Sequence, residues 1–89
     1  MYVNLGQTVV PAVEIVGIFD LDNASWAFKT REFLERTERE GRAVWLTDDL
    51  PRSFVLCRDG QVYISPLSAG VLKGRTEGQG LVTFSREKK

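Results

Sequence analysis

Two pairs of aspartates, Asp20 with Asp22 and Asp48 with Asp49, are the residues of this 89-residue chain whose type and spacing could hold a divalent cation or divide acid and base work. Little stands beside them to complete such a site. The chain has no histidine, and its single cysteine, Cys57, sits in the apolar run FVLC. No glycine-rich phosphate loop or spaced set of metal ligands is present. Aspartate is common where strands end and helices begin, so caps and turns account for all four. The expectation is no catalytic residue, no metal and no cofactor. Cys57 has no partner for an internal disulfide and reads as a core residue.

The cations offer a second chemistry, contact with phosphate. Twelve basic side chains balance twelve acidic ones, so the whole chain does not draw polyanions and any basic site must be local. Eight of the twelve cations are arginines, the residue whose rigid fork suits bidentate pairing, but most stand beside acids in the sequence. Lys73 and Arg75 leave the end of a short helix, where they either complement the negative end of its dipole or meet a phosphate.

The elements that must position these groups are written in the turn signals. Ser65 and Pro66 predict a strand running directly into a helix over Leu67–Lys73, with Leu67, Val71 and Leu72 for burial and Gly74 as its breaker. Tyr2–Leu5 and Gln7–Val10 form a small hairpin around Gly6. After Pro11, residues Ala12–Phe19 read as a strand with Val13, Ile15, Gly17 and Phe19 on one face and Glu14, Val16 and Ile18 on the other. A strand apolar on both faces must be covered on both.

From Asn23 or Ser25 a helix runs to about Arg39 and ends near Gly41, with Ala27, Phe33 and Leu34 toward the core. Its outer face carries Glu32–Arg36, Glu35–Arg39 and Glu38–Arg42 at i,i+4 spacing. Trp26 and Phe28 diverge around it, one for the core and one for a contact between subunits. Ala43–Leu46 reads as a strand and Thr47–Arg52 as a loop. Ser53–Arg58 and Gln61–Ser65 pair as a hairpin through Asp59-Gly60.

The pattern predicts one α/β (α+β) domain over residues 1–75, with a twisted, mostly antiparallel sheet of about five or six strands and two helices. Residues 76–89 form a mobile or partly ordered tail in which LVTF adds at most a strand. So short a chain has little surplus stability, which favours a homo-oligomer. Val16, Ile18, Trp26 and Phe28 are the candidate contacts between copies. The start has no charged region followed by a long apolar one, and no apolar run nears a bilayer-spanning length. The expectation is a cytoplasmic protein with no membrane partner.

Four strings together carry a resemblance: MYVNLG at the start, EIVGIFDLDN at 14–23, PRSFVL at 51–56 and YISPLSAGVLKGR at 63–75. In order and spacing they resemble the Rem-type extracellular-matrix regulators of Gram-positive bacteria, specifically the RemB branch, over nearly the whole chain up to Arg75. The resemblance implies a non-enzymatic regulator of transcription at biofilm matrix genes. In the sister branch, RemA, subunits assemble into a ring whose basic surface DNA is thought to follow. Repeating a weak contact around a ring multiplies binding through effective concentration and can bend DNA.

The sister branch carries arginines in the loop before the strand that corresponds to Ser53–Arg58. Here Asp48, Asp49 and Leu50 stand in that loop, and Arg52 alone lies on a matching basic position. Arg52 is thus the first expected DNA contact, with Lys73 and Arg75 next. The other reading of Arg52 is a pair with Asp48, Asp49 or a neighbour's glutamate. The alternative function is a protein–protein module that assembles on itself or with a RemA-like sister protein and modulates it without touching DNA.

Overall fold

Asn4 and Gly6 turn the start of the chain back on itself. Asn4 Oδ1 accepts the Gly6 N–H at 2.8 Å, and Gly6 takes φ 134°, a conformation that suits a residue without Cβ. Strands β1 (Tyr2–Asn4) and β2 (Val9–Pro11) thus form a small antiparallel sheet in which Tyr2 faces Pro11 and Asn4 faces Val9. The structure, a computed structural model, describes residues 1–22, 28–76 and 82–84, of which 28, 29 and 82–84 by backbone alone. The helix start at Asn23 or Ser25, Trp26, Ala27 and the tail apart from Thr76 and 82–84 lie outside the described residues.

A 3-10 turn, Ala12–Glu14, replaces the beginning of the strand predicted over 12–19. Strand β3 covers Ile15–Asp20, and β4 covers Ala43–Trp45. Strands β5 (Ser53–Cys57), β6 (Val62–Ser65) and β7 (Val82–Phe84) complete a five-stranded sheet of order β4-β6-β5-β3-β7. The fold is α+β with two helices, α1 (Phe28–Arg39) and α2 (Ala69–Thr76). Pairings β1–β2, β3–β5 and β5–β6 are antiparallel, and the two outer pairings, β4–β6 and β3–β7, are parallel. The main sheet has five described strands, within the five or six expected, with Val82–Phe84 as an edge, and the hairpin stands as a two-stranded sheet of its own.

The parallel edges follow from the two helices. β3 leads through residues 21–42, which include α1, to β4 on one side of the sheet, and β6 leads past α2 to β7 on the other. Crossovers of the same hand that run in opposite directions put their helices on opposite faces. The core divides accordingly. Val3, Leu5, Val10, Ile15, Ile18, Val55, Cys57 and Leu72 pack between the hairpin, α2 and one face, while Leu34 packs with Leu21, Phe54, Val62 and Ile64 on the other. Alternate residues of β5 serve the two layers, which is why FVLC reads as an unbroken apolar run.

The strand predicted to alternate strictly does not. In the β3–β5 register Ile15 faces Cys57 but Gly17 faces Leu56, which leaves Val16 as the extra residue of a β-bulge. The bulge lets Ile15 and Ile18 both enter the layer under α2, with Ile18 only 1% exposed, and leaves Val16 43% exposed. Ile18 is therefore a core residue and not a contact between copies. Of the expected helix-facing residues, Leu34 is buried and Phe33 partly so. Val71, assigned to the core in sequence, is 45% exposed.

The helix after Ser65 begins later than its Ser-Pro signal implies. Ser65 Oγ accepts the Leu67 N–H at 3.0 Å in a local turn, and Ser68 is the residue that caps α2, its Oγ accepting the Val71 N–H at 3.1 Å. The helix also passes through Gly74, whose missing side chain leaves open space, and ends at Thr76. The Asp59-Gly60 signal closes the β5–β6 hairpin with a three-residue loop: Cys57 N–H bonds Gln61 O, while Gly60 N–H bonds Cys57 O, both at 3.0 Å. Only Gly60, at φ 90°, leaves the ordinary backbone regions, whereas the expected two-residue turn would require Asp59 to do so too.

Candidate phosphate-contact site

Antiparallel pairing of β3 with β5 carries its last partners, Asp20 and Ser53, one step further through the Leu21 N–H to Arg52 O bond at 3.0 Å. That register sets Asp22 beside Arg52. The Arg52 Nε donates to Asp22 Oδ1 at 3.1 Å and Oδ2 at 3.2 Å, and Nη2 donates to Oδ2 at 3.0 Å. Both side chains are solvent-accessible, 54% for Arg52 and 39% for Asp22. The hydrogen bond to Asp22, then its charge, raises the Arg52 pKa above its ordinary value, with Asp20 adding to the effect.

This pairing corrects the partner weighed in sequence. Asp48 and Asp49 are exposed, and the Asp49 N–H is held at 2.9 Å by Thr47 Oγ1, so the loop closes on itself rather than on Arg52. Asp22 lies 30 residues from Arg52, and only the strand register joins them. Of the four aspartates read as caps or turns, Asp20 acts in one, its Oδ1 accepting the Asp22 N–H at 2.7 Å, while Asp22 is taken by Arg52; Asp59 Oδ1 likewise accepts the Gln61 N–H at 3.0 Å. Among the described residues no acidic, histidine or cysteine cluster has the geometry of a metal site.

The Arg52 backbone and the Arg75 side chain are anchored on adjoining parts of the fold. The Arg52 N–H donates to Ser65 O at 2.9 Å, and Ser65 Oγ donates to Leu5 O at 2.5 Å. One residue earlier in the hairpin, Asn4 O accepts from Arg75 Nη1 at 2.7 Å. The opposite serine, Ser53, donates to Leu67 O at 2.7 Å and holds the segment before α2 against the strand end. Sequence inspection missed these two serines as anchors, although each is wholly buried at the end of its strand. Lys73, half-buried in α2, makes no ion pair among the described residues.

Arg42 lies outside this group. Its Nη2 and Nε take Glu40 Oε1 at 2.7 and 2.9 Å, and Nη1 donates to Gly60 O at 2.5 Å. The expected Glu38 pair is replaced because Gly41, at φ 73°, turns the chain out of the helix before Arg42.

Of the candidate contacts between copies, Val16 is exposed, Ile18 is internal, Trp26 lies outside the described residues, and Phe28 begins α1. Tyr2, Val9 and Val13 are exposed as well, on the hairpin and the turn that follows it. Beside α1 a depression of about 260 Å³ is lined by Phe19, Thr30, Phe33, Phe54 and Leu56, with Phe19 stacked on Phe54 at 4.5 Å. That lining holds no acid, base or metal ligand. Neither a protein-family model nor a curated protein matches this chain.

Proposed function

We propose that this chain is a cytoplasmic, non-enzymatic regulator of extracellular-matrix genes that works as a homo-oligomer and meets DNA phosphates through Arg52, Lys73 and Arg75, one set per copy. The gene class comes from the Rem-type resemblance of the four strings. The observation that carries the contact is that the Arg52 backbone and the Arg75 guanidinium are both bonded to the joined β6 end and hairpin, at Ser65 O and Asn4 O, with both side chains exposed. One cation at a helix end and two guanidiniums make a weak site for a single copy, and repetition around an assembly makes it a strong one. Val16, Tyr2, Val9 and Val13, all exposed, supply apolar surface for that assembly.

A second reading is favoured by the Arg52–Asp22 pair, because a guanidinium already bonded to a carboxylate offers phosphate less charge. In it the chain assembles with itself or a RemA-like sister and modulates that protein without binding DNA. Gel shifts on duplex DNA across a salt series, run with the Arg52→Ala, Lys73→Ala and Arg75→Ala variants, separate the two. DNA contact is expected to give a shift that fades steeply with salt and weakens in the variants. No shift by the native chain at low salt leaves the assembly reading, and equal shifts by all three variants remove these residues from the site.

A further inference from the structure

We propose that Asp22 is a built-in competitor for the anion that Arg52 binds, so that phosphate gains the Nε/Nη2 edge of the guanidinium only by displacing this carboxylate. The inference rests on the phosphate-contact reading and adds to it the residue that sets its strength. Three features of the site carry it. First, the carboxylate occupies the two donors that form one edge of the guanidinium fork, Nε and Nη2, one of the two edges open to a bidentate phosphate contact. Second, Asp22 is held in place independently of the Arg52 side chain, since its own N–H is bonded to Asp20 Oδ1 at 2.7 Å and the neighbouring Leu21 N–H to the Arg52 backbone O. Third, both side chains are open to water, so the pair is weak enough for an incoming anion to exchange.

The pair therefore behaves as a threshold. A lone phosphate meets a neutralised arginine, whereas a polyanion held by Lys73 and Arg75 is presented at high local concentration and can take the place of the carboxylate. A chain of net charge zero in this way discriminates against small anions while keeping its response to a long one. Exposed acids at Asp48 and Asp49 act in the same direction, but neither touches Arg52.

The test measures duplex-DNA binding by fluorescence anisotropy for the full chain, native and as Asp22→Asn, Asp22→Glu, Arg52→Ala and the Asp22→Asn/Arg52→Ala double variant, across a salt series. Asp22→Asn is expected to bind about two- to five-fold tighter for each copy that touches DNA, the range set by a weak exposed ion pair. Its plot of log affinity against log salt is expected to be at least as steep as the native one, since Arg52 meets phosphate in both and only the opposing carboxylate is gone. Asp22→Glu, which keeps the charge, is expected to bind like the native chain. The double variant is expected to match Arg52→Ala, because the competitor has nothing left to compete for. A native chain that binds while Asp22→Asn binds no better overturns the competitor role alone, and so does a gain that survives in the Arg52→Ala background. Absence of binding by both native chain and Asp22→Asn at low salt overturns the phosphate reading and the competitor role together.

Discussion

Burial in the sheet pushes the Cys57 thiol from its ordinary pKa of 9.0 up to about 11, with the charges of Asp59 and Glu14 adding to the desolvation. The unfolded chain therefore loses this proton at lower pH than the folded one, and stability falls as pH rises from about 9 to about 11. The same burial raises the Tyr63 hydroxyl, which pulls in the same direction. Urea denaturation at successive pH values is expected to show a flat midpoint below pH 9 and a decline above it. A thiol reagent at neutral pH should modify Cys57 only at the rate at which the protein opens. An unchanged midpoint up to pH 11 would show that the thiol is not desolvated. The core role of Cys57 was legible in FVLC because an apolar run of strand length has few other homes. The partner of Arg52 was not, since 30 residues separate it from Asp22 and nothing local joins the two.

At the level of elements, two serines three residues apart do different work, and their removal separates it. Ser68→Ala takes away the cap on α2 and is expected to cost about 1 kcal/mol, felt within that helix. Ser65→Ala leaves Leu5 O without its buried donor, which costs about 1–3 kcal/mol and loosens the hairpin instead. Amide hydrogen exchange reads the difference: faster exchange at Val71 in the first variant, and at Leu5 and Gly6 in the second. If Ser65→Ala alone frays the helix, Ser65 is its cap. The Ser-Pro signal located the junction of strand and helix correctly in kind, because both serines can cap a free N–H and neighbouring sequence does not choose between them. The choice is made by Leu5, a residue of the hairpin that holds Ser65 from outside its own segment. The β3 bulge is of the same kind: alternation in EIVGIF is plain in the sequence, and the extra residue becomes visible only against the partner strand.

The whole chain has no net charge, and among the described residues exposed apolar side chains such as Tyr2, Val9, Val13 and Val16 accompany exposed arginines such as Arg52 and Arg75 as its candidate contacts. Assembly through Val16 and other exposed apolar residues is expected to survive at high salt, since apolar contact is not screened as charge is. Light scattering should give a mass well above the 10.0 kDa of one chain, and Val16→Asp should bring it down, because the new carboxylate would lose its water on burial between copies. A native mass of one chain at every concentration would remove the collective contact that the proposed function needs.

Turn chemistry and apolar runs decided, from the sequence alone, a small α+β chain with two helices and a buried thiol. These features rest on residues close together in the chain, where caps, glycines and alternation act directly on the backbone. The tertiary structure decided the burial of Ile18, the parallel edges of the sheet and the capture of Arg52 by Asp22. Each depends on which distant strand lies alongside, and that is settled by the joint packing of two helices on opposite faces rather than by any local preference.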